Sequence, residues 1–599
     1  MKASAFVLLM TTVASAGAQQ VSVGSIESPP ADALRAEVPP LRLAESLELH
    51  PMHALEEAPQ GSLDSLMALA AWNEAGNLPL RDGFSRPLPS SIGWRVELTR
   101  EELTDTPHRL GGGWWASDLP RRVVWGTSLY VPHAYRLRLE LRDVDLPEDT
   151  ELWVWSETGE TVKFDLSLIG PDRTLWTPSV AGPVIYLEMT VPTQDDGLHS
   201  GLQVASALQQ FELDYRGRPL TDPALINRVT TSCLIDAACI SDANVPGVSQ
   251  WKKGIAHLRY VKNASSYICT GGLLNNTRSD FTPYFLTANH CFSTQDSASS
   301  LEAYWDYIDS SCLGSAPPLG SLPRSNGSTL LATGASSDFT FLRLNSAPGS
   351  RLFFGWNANV AVTSAGTALY RLSHPMGWAM GFSKTVSWDP PGVCQDWPTS
   401  TRLYSDSQPD LGNGATFGGS SGAPVLIANG QVVGQLTGGC GTNPEEPCLA
   451  GPLNSTVDGR LSTSYPAISQ WLSPSGGSDP CVRNAQTACL LGGRFEVKVQ
   501  WTTSTGTGAA QVMSFGAERT ESNESVFFYF FNPANFEMGV KVLNGCGLGG
   551  NYWIFVSGLT NQGYTVTVRD TLTGRVKTYS NPLGLYPTTV GDTSAMPCS

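Results

Sequence analysis

The stretch FGGSSGAPVL, residues 417–426, places Ser421 in a glycine-rich turn directly before a short apolar run. Glycines let the backbone turn sharply and bring N–H groups close to a bound carbonyl. The N–H groups of Gly419 and Ser421 are therefore candidates for an oxyanion hole. Taken alone the G-x-S-G pattern is weak evidence, because glycine and serine are also common in ordinary turns.

Two stretches upstream supply the partners that a nucleophilic serine needs. LTANHC, residues 286–291, puts His290 after an apolar run and directly before a cysteine, and Asp338 precedes the predicted strand 339–344. Each has an ordinary alternative, a packed structural histidine or a solvated acid at a strand end. Peptide-bond cleavage by serine requires a neutral base and a carboxylate that fixes it. The joint order His290, Asp338, Ser421 in one cysteine-bearing β region predicts a catalytic triad.

Residues 229–473 resemble the bacterial lysyl endopeptidase family, a branch of the trypsin-fold serine proteases. The motifs that carry the resemblance are CTGGLLNN (269–276), YFLTANHC (284–291), SDFTFLRL (337–344), GSSGAPV (419–425) and GQLTGG (434–439). The resemblance implies two six-stranded β-barrels with the triad in the cleft between them, and an acyl-enzyme mechanism that uses no metal or cofactor. It also implies that Leu436, Thr437 and Gly438 bind the backbone of a protein or peptide substrate as an added strand.

Disulfide bonds are implied by the same resemblance. Its pattern fits Cys269–Cys291 and Cys239–Cys312, and pairs Cys233 with Cys440 or Cys448. Whichever of these two remains is expected to pair with Cys394. In the C-terminal region the simplest pairs are Cys481–Cys489 and Cys546–Cys598.

The primary specificity pocket departs from the family pattern. Lysine specificity in the family depends on a pocket aspartate, and that position falls on Thr456, with Asp458 two residues away as a substitute. Trypsin keeps its acid six residues before the serine, where this chain has Ala415, and the family histidine of the substrate strand is replaced by Thr437. Lysine preference is therefore not carried over.

Activation is expected to differ from that of trypsin. Ser420 stands where trypsin has the aspartate that receives a new amino terminus, so activation is predicted to depend on removal of an inhibitory prodomain. Arg228, just before a predicted mature start at Val229, fits self-cleavage by a protease that prefers Lys or Arg, and it fits a separate convertase equally well. His374, in another stretch that resembles the family, is interpreted as structural.

Bulk properties narrow the class further. A chain of 599 residues is too long for one core, and its net charge of −16 argues against a nucleic-acid partner. Lys2, the apolar run 6–13 and the small residues 16–18 predict a signal peptide over 1–18, and no later run is long enough to span a membrane. Twelve cysteines without C-x-x-C or H-E-x-x-H spacing predict disulfides and no metal. The sequence thus predicts a secreted, monomeric protein.

The predicted fold is all-β, with a β-sandwich prodomain, a double barrel and a sandwich-like C-terminal domain. The predicted boundaries are a loosely ordered pro-leader over 19–90, the β-rich prodomain 91–228, the protease domain 229–473, a linker 474–480 and an accessory domain 481–599. In the prodomain, Leu137, Leu139 and Leu141 alternate with charged residues, which predicts a strand with one buried face. The run VFFYFFNP, 526–533, is interpreted as core in preference to an exposed aromatic binding face.

Two other functions compete with a secreted, zymogen-derived endopeptidase. An inactive protease homologue that acts as a binding or adhesion protein would show the same motifs. An α/β-hydrolase esterase also has a glycine-flanked serine, but in that fold the serine precedes the acid and the histidine, which is the reverse of the order here.

Overall fold

The computed structural model describes residues 22–28, 40–48, 50–55, 61–98, 106–117, 122–193, 198–214, 216–220, 233–390, 397–407, 414–441, 454–473, 481, 483–515, 518–546, 550–571 and 573–598. The predicted signal peptide, Arg228, Val229, Cys394 and Cys448 lie outside these residues. The described chain forms two compact units, Ser22–Leu472 and Ser473–Ser599, which are described one at a time.

The N-terminal part of the first unit contains two helices, α1 (Leu43–Leu47) and α2 (Gly61–Glu74). Its strands are β1 (Ser22–Val23), β2 (Ile26–Glu27), β3 (His53–Ala54), β4 (Leu80–Leu98), β5 (His108–Leu110), β6 (Gly113–Ser117), β7 (Arg122–Tyr130), β8 (Arg136–Asp145), β9 (Glu151–Trp155), β10 (Thr161–Phe164), β11 (Leu175–Trp176), β12 (Val180–Ala181), β13 (Val184–Pro192), β14 (Leu198–Gln210), β15 (Glu212–Leu213) and β16 (Pro219–Leu220).

These strands build the predicted sandwich. One sheet has the order β10-β9-β13-β7-β6-β5, and the facing sheet has the order β11-β8-β14-β4. Buried side chains from both sheets, among them Trp94, Trp125, Leu139 and Val154, pack together between them. The alternating leucines of β8 therefore form a buried face, as the sequence predicts.

The charged residues on the other face of β8 are buried too, contrary to the prediction of one buried face. Arg136 and Arg138 are each 1% exposed, because β8 is covered on that face by the second half of the unit. Arg138 lies 3.5 Å from Glu302 of that half, and Ser179 donates its backbone N–H to Glu302 at 2.8 Å. Burial alone raises the pKa of Glu302, but the attraction of Arg138 and Arg324 outweighs burial and lowers this pKa to about 2.

The predicted loosely ordered leader is wrong for the described residues of 19–90. They form α1, α2 and four strands, and β4 crosses the predicted boundary at residue 90. The short strands β1 and β2 pair with strands near residue 355, and the start of β4 pairs with a strand near residue 268. A composition rich in proline, alanine and glutamate does not reveal such pairing, since the hydrogen bonds are made by the backbone to distant segments.

The second half of the first unit contains helices α3 (Val248–Trp251), α4 (Gln295–Ser299) and α5 (Leu461–Leu472). Its strands are β17 (Ile235–Asp236), β18 (Ile255–Lys262), β19 (Ser265–Leu274), β20 (Tyr284–Ala288), β21 (Glu302–Trp305), β22 (Arg324–Asn326), β23 (Ser328–Gly334), β24 (Phe339–Leu344), β25 (Leu352–Phe353), β26 (Trp356–Asn357), β27 (Ala368–Ser373), β28 (Gly381–Ser387), β29 (Arg402–Ser407), β30 (Pro424–Leu426), β31 (Val432–Gly441) and β32 (Asn454–Arg460). Single 3-10 turns lie at Leu166–Leu168, Ala237–Cys239, Lys252–Gly254, Leu319–Ser321, Val360–Thr363 and Pro375–Gly377.

Two barrels follow from this pairing. Strands β27, β28, β29, β32, β31 and β30 form a closed six-stranded ring, in which β30 pairs back with β27. The strands β22-β21-β18-β19-β20-β24-β23 form an open half-barrel, and β4 of the N-terminal half adds to it through β19. The architecture is that of the trypsin-like fold, as predicted, but one of the two barrels is an open half-barrel of seven paired strands, where the prediction was a closed barrel of six.

The C-terminal unit is a second sandwich. Its strands are β33 (Thr487–Leu490), β34 (Phe495–Thr502), β35 (Thr507–Ala509), β36 (Gln511–Val512), β37 (Ser514–Phe515), β38 (Glu518–Arg519), β39 (Ser525–Tyr529), β40 (Met538–Gly545), β41 (Asn551–Gly558), β42 (Gly563–Asp570), β43 (Val576–Asn581) and β44 (Val590–Pro597). Sheets β33-β34-β42-β43 and β36-β39-β40-β41-β44 enclose one apolar core. In the aromatic run, Phe528 and Phe530 are buried in this core, while Phe527 and Phe531 are 41% and 54% exposed.

The cysteines follow the predicted pairing wherever it is described. Disulfides join Cys239 to Cys312, Cys269 to Cys291, Cys481 to Cys489 and Cys546 to Cys598. Cys233 and Cys440 are also disulfide-bonded. Within the ranges given above, no helix is long and apolar enough to cross a membrane, and no group of three potential metal ligands comes together.

Candidate active site

His290 and Asp338 meet because their strands are antiparallel neighbours. Ala288, the last residue of β20, faces Phe339, the first residue of β24, so the residues beyond these two ends lie at the same edge of the half-barrel. Asp338 Oδ2 is 2.8 Å from His290 Nδ1, and Oδ1 accepts the backbone N–H of His290 at 2.9 Å. The disulfide from Cys291 to Cys269 fixes the segment on its other side.

The backbone at Asp338 is in the left-handed region, with a φ of 55°, which asparagine and aspartate tolerate better than most residues. Its carbonyl accepts hydrogen bonds from the N–H of Asn289 at 2.9 Å and from Gln435 Nε2 at 3.0 Å. Both carboxylate oxygens point at His290. Such an over-determined, unusual conformation is typical of functional positions.

The pairing fixes the form of the imidazole. An ionised carboxylate is an acceptor only, so Nδ1 of His290 must carry the hydrogen, and Nε2 is left as the basic nitrogen. Nε2 is buried and makes no hydrogen bond within the described part of the chain, which includes the hydroxyl of Ser421. In free enzymes the bond between base and nucleophile is often long and tightens only in the substrate complex.

Ser421 is positioned by its backbone. Its carbonyl accepts the N–H of Thr270 in β19 at 2.8 Å, and the Sγ of Cys291, the residue after His290, lies 3.9 Å from the same oxygen. Gly419 and Gly422 have φ values of 89° and 83°. A Cβ on Gly419 would lie 2.7 Å from the carbonyl oxygen of His374, so a larger residue would displace the turn.

The N–H groups of this turn divide into two sets. Those of Ser420, Gly422 and Ala423 donate to Phe417, Leu436 and Ser420 respectively. In the described structure those of Gly419 and Ser421 have no acceptor, and these are the two groups that the sequence predicts for the oxyanion hole. Alternate donors are therefore left for a ligand oxygen, as oxyanion stabilisation requires.

The predicted substrate strand lies against this turn. Leu436 donates its N–H to Ala423 at 2.9 Å, and its carbonyl accepts the N–H of Gly422 at 2.8 Å. A register shift opposite β32 falls between Leu436 and Gly438, so Thr437 occupies a bulge. Thr437 Oγ1 is buried and makes no hydrogen bond with any described residue.

Of the predicted pocket residues, Asp458 is buried and paired with a cation. It is 0% exposed, and both its oxygens are bound by Arg371, with Nε donating to Oδ1 at 2.9 Å and Nη2 donating to Oδ2. Burial raises the pKa of Asp458, and the Arg371 guanidinium opposes that rise. Ala415 and Thr456 are partly exposed at the neighbouring segments.

Arg371 was not predicted as a site residue, although a charged residue within the apolar strand ALYRLS, 368–373, is a signal for a buried charge. Two leucines of the N-terminal half were not predicted as site residues either. A Cβ on Gly418 would lie 2.6 Å from Leu80 Cγ, and one on Gly438 would lie 3.4 Å from Leu78 Cδ1. Leu78 and Leu80 therefore lie against both the nucleophile turn and the substrate strand.

His374 has the structural role that the sequence predicts, for one of its nitrogens. Nδ1 lies 3.0 Å from the carbonyl oxygen of Trp378, whereas Nε2 is without a hydrogen-bond partner in the described residues. Burial lowers the pKa of His374 to about 4, and the bond to Trp378 opposes the shift. The side chain is therefore neutral at physiological pH.

Parts of this chain are similar in sequence to known proteins. Residues 228–447 match the family described as "Lysyl endopeptidase, C-terminal domain". A lysyl endopeptidase of Pseudomonas aeruginosa is 26% identical over 412 residues, which are 66% of this chain and 84% of the relative. Secreted RxLR effector protein 73 of Plasmopara viticola is 29% identical over 201 residues, 31% of this chain and 45% of that protein.

Solved protease structures are similar to part of this chain. The active form of the Rv3671c protease from M. tuberculosis superposes with a TM-score of 0.26 and 14% identity, covering 40% of this chain and 91% of that one. The HtrA-type protease AlgW with a bound tripeptide has a TM-score of 0.28 and 12% identity, covering 58% and 98%.

Proposed function

We propose that this chain, which is similar to lysyl endopeptidases, is a serine endopeptidase that cuts peptide bonds with a triad of Ser421, His290 and Asp338. The observation that supports the proposal is the two-point contact of Asp338 with His290, which leaves Nε2 of His290 without a hydrogen-bond partner in the described residues. The Sγ of the next residue, Cys291, lies 3.9 Å from the carbonyl oxygen of Ser421. In this proposal, three stretches that lie far apart in sequence supply the carboxylate, the base and the hydroxyl.

The reaction follows the chemistry of these groups. Nε2 of His290 takes the proton of the Ser421 hydroxyl as Oγ attacks the scissile carbonyl carbon, and the N–H groups of Gly419 and Ser421 stabilise the oxyanion. The protonated imidazole then gives its proton to the leaving amine, and an acyl-enzyme remains. Water, activated by the same imidazole, releases the acid and restores the serine.

The enzyme is made, in this proposal, as an inactive precursor that is exported. Leu78 and Leu80 lie against the substrate strand and the nucleophile turn, and strand β4 pairs with β19, so the N-terminal half blocks the cleft until it is removed. Export would use the predicted signal peptide 1–18. The boundary at residues 228 and 229, the linker 474–480 and the accessory domain 481–599 complete the proposed organisation.

Covalent labelling tests the triad directly. The purified protein, after removal of the N-terminal half, should react with a fluorophosphonate at Ser421, and Ser421→Ala should abolish labelling. Ser420→Ala is the matched control, since it removes the adjacent hydroxyl and should leave labelling in place. Labelling that persists in Ser421→Ala, or that is absent from the processed wild type, would reject the enzyme and favour the inactive homologue with a binding role.

A further inference from the structure

A buried polar cluster lies inside the closed barrel. Arg371 in β27 and Asp458 in β32 are both 0% exposed and are joined by two hydrogen bonds. Two further donors of the guanidinium are used, since Nη1 donates to Thr385 Oγ1 at 2.9 Å and Nη2 to Ser405 Oγ at 3.1 Å. The cation and the anion therefore satisfy each other within the protein.

The strand pattern places this cluster under the nucleophile turn. Alternate residues of a strand point to the same side, so Leu369, Arg371 and Ser373 share the interior of the barrel. Leu369 packs with other apolar side chains in the barrel, whereas Ser373 Oγ donates to Ser420 Oγ at 3.0 Å, beside the nucleophile. Arg371 lies between Leu369 and Ser373 along β27. Its partner Asp458, in β32, is directly opposite Leu436 of the substrate strand.

We propose that the Arg371–Asp458 pair forms the neutral floor of the primary specificity pocket, and that the enzyme selects an uncharged apolar side chain on the acyl side of the cut bond. This proposal rests on the proposed function and adds its substrate class. The segments 414–421, 436–441 and 454–460 that surround the turn contain one carboxylate, that of Asp458. With that carboxylate bound by Arg371, no anion on these segments is left for a substrate lysine or arginine.

The physical argument is one of desolvation. A lysine ammonium that enters such a pocket loses its water, and burial of a charge without a partner is strongly unfavourable. A glutamate fares no better, because each nitrogen of Arg371 already donates to a partner and its charge is matched by Asp458. An apolar side chain loses no hydrogen bonds on entry and gains from the burial of its surface.

The segment of the N-terminal half that lies against the substrate strand is also uncharged. The segment NLPL, 77–80, contains no charged residue. Leu78 lies 3.4 Å from the Cβ position of Gly438, with Trp397 on the same side at 3.9 Å. The next residue with a charge, Arg81, donates from Nε to the hydroxyl of Tyr267 at 3.1 Å and stacks on Trp72 with its guanidinium 4.0 Å from the ring centroid.

The test compares matched peptide substrates that differ only in the residue before the cut bond. For the processed enzyme we expect kcat/KM for leucine or phenylalanine to exceed that for lysine and for glutamate by tenfold or more. An enzyme that labels at Ser421 but prefers lysine or arginine would overturn the neutral pocket and leave the triad intact. Failure to label at all would instead overturn the proposed function.

Substitutions at the pair supply the second readout. Arg371→Met leaves Asp458 without its cation, and we expect the lysine-to-leucine ratio of kcat/KM to rise by tenfold or more. An unchanged ratio in a folded Arg371→Met enzyme would show that Asp458 does not reach the pocket and would overturn the proposal. If that variant does not fold, the double variant Arg371→Met, Asp458→Leu replaces the ion pair by apolar groups, and it should keep the preference for leucine over lysine. A double variant that gains lysine cleavage would contradict the assignment.

Discussion

Asp338 holds His290 at two points, with Oδ1 on the backbone N–H at 2.9 Å and Oδ2 on Nδ1 at 2.8 Å. Asparagine in its place has the same shape, but it presents an NH₂ group that favours the tautomer with Nε2 protonated. We expect Asp338→Asn to lower kcat by roughly 10³- to 10⁴-fold with little change in KM, measured on the processed enzyme.

The control for this substitution is Asp306→Asn. Asp306 also has a left-handed backbone, with a φ of 59°, but its carboxylate binds Arg351 at 2.7 Å. This variant should retain kcat. If Asp338→Asn retains more than about a tenth of wild-type kcat, Asp338 is not the orienting carboxylate.

Gly419 is expected to be intolerant of any side chain. Its φ of 89° strains an L-residue, and a Cβ would lie 2.7 Å from the carbonyl oxygen of His374, so Gly419→Ala must rotate the N–H that the oxyanion requires. We expect kcat to fall by roughly 10²- to 10³-fold. Gly366→Ala isolates the strain, because Gly366 has a φ of 91° and no atom within 4 Å of its Cβ position. Equal losses in both variants would contradict a specific role for the Gly419 turn.

The sequence was informative about the site where local motifs carry the chemistry. His290, Asp338 and Ser421 were predicted because each lies in a recognisable stretch, and the neighbouring strands β20 and β24 bring two of them together. The Arg371–Asp458 pair was not predicted. The two residues are 87 positions apart, and only the closure of the barrel brings their strands onto one interior.

The burial of the polar face of β8 was also not predicted. A period-2 pattern reveals which side of β8 is apolar, but not whether a second domain covers its polar side. Arg138 is buried because Glu302 and the carbonyl of Ser300 lie against it, and these belong to the other half of the unit. The segment around residue 80 was predicted to be loosely ordered for the same reason. It forms a strand because it pairs with β19.

Leu80 is expected to hold the cleft closed in the precursor. It is 5% exposed and packs against Gly418 and Ile268. Leu80→Glu would place a charge in this contact, so we expect the unprocessed Leu80→Glu chain to react with a fluorophosphonate about tenfold faster than unprocessed wild type, a gain that corresponds to about 1.4 kcal/mol. Leu63→Glu, at a position 51% exposed on α2, should react like wild type. Equal labelling rates for all three precursors would show that Leu80 does not contribute to inhibition.

His374 gives the folded protein a dependence on pH that can be measured without catalysis, in the Ser421→Ala background. Burial lowers its folded pKa to about 4, whereas the unfolded value is about 6.5. Between these values the unfolded chain binds a proton that the folded protein does not, so stability is fully present above pH 6.5 and falls as the pH drops towards 4. The full loss from this group is about 3 kcal/mol.

His374→Asn removes this titration and keeps an amide that can donate to Trp378. We expect the unfolding midpoint of the variant to fall less between pH 6.5 and pH 4 than that of its parent. A residual fall should remain, because His257 is buried beside His374 and burial lowers its pKa as well. The exposed His108 provides the control His108→Asn, which should keep the parental slope. If His374→Asn shows the parental slope too, burial does not hold His374 neutral.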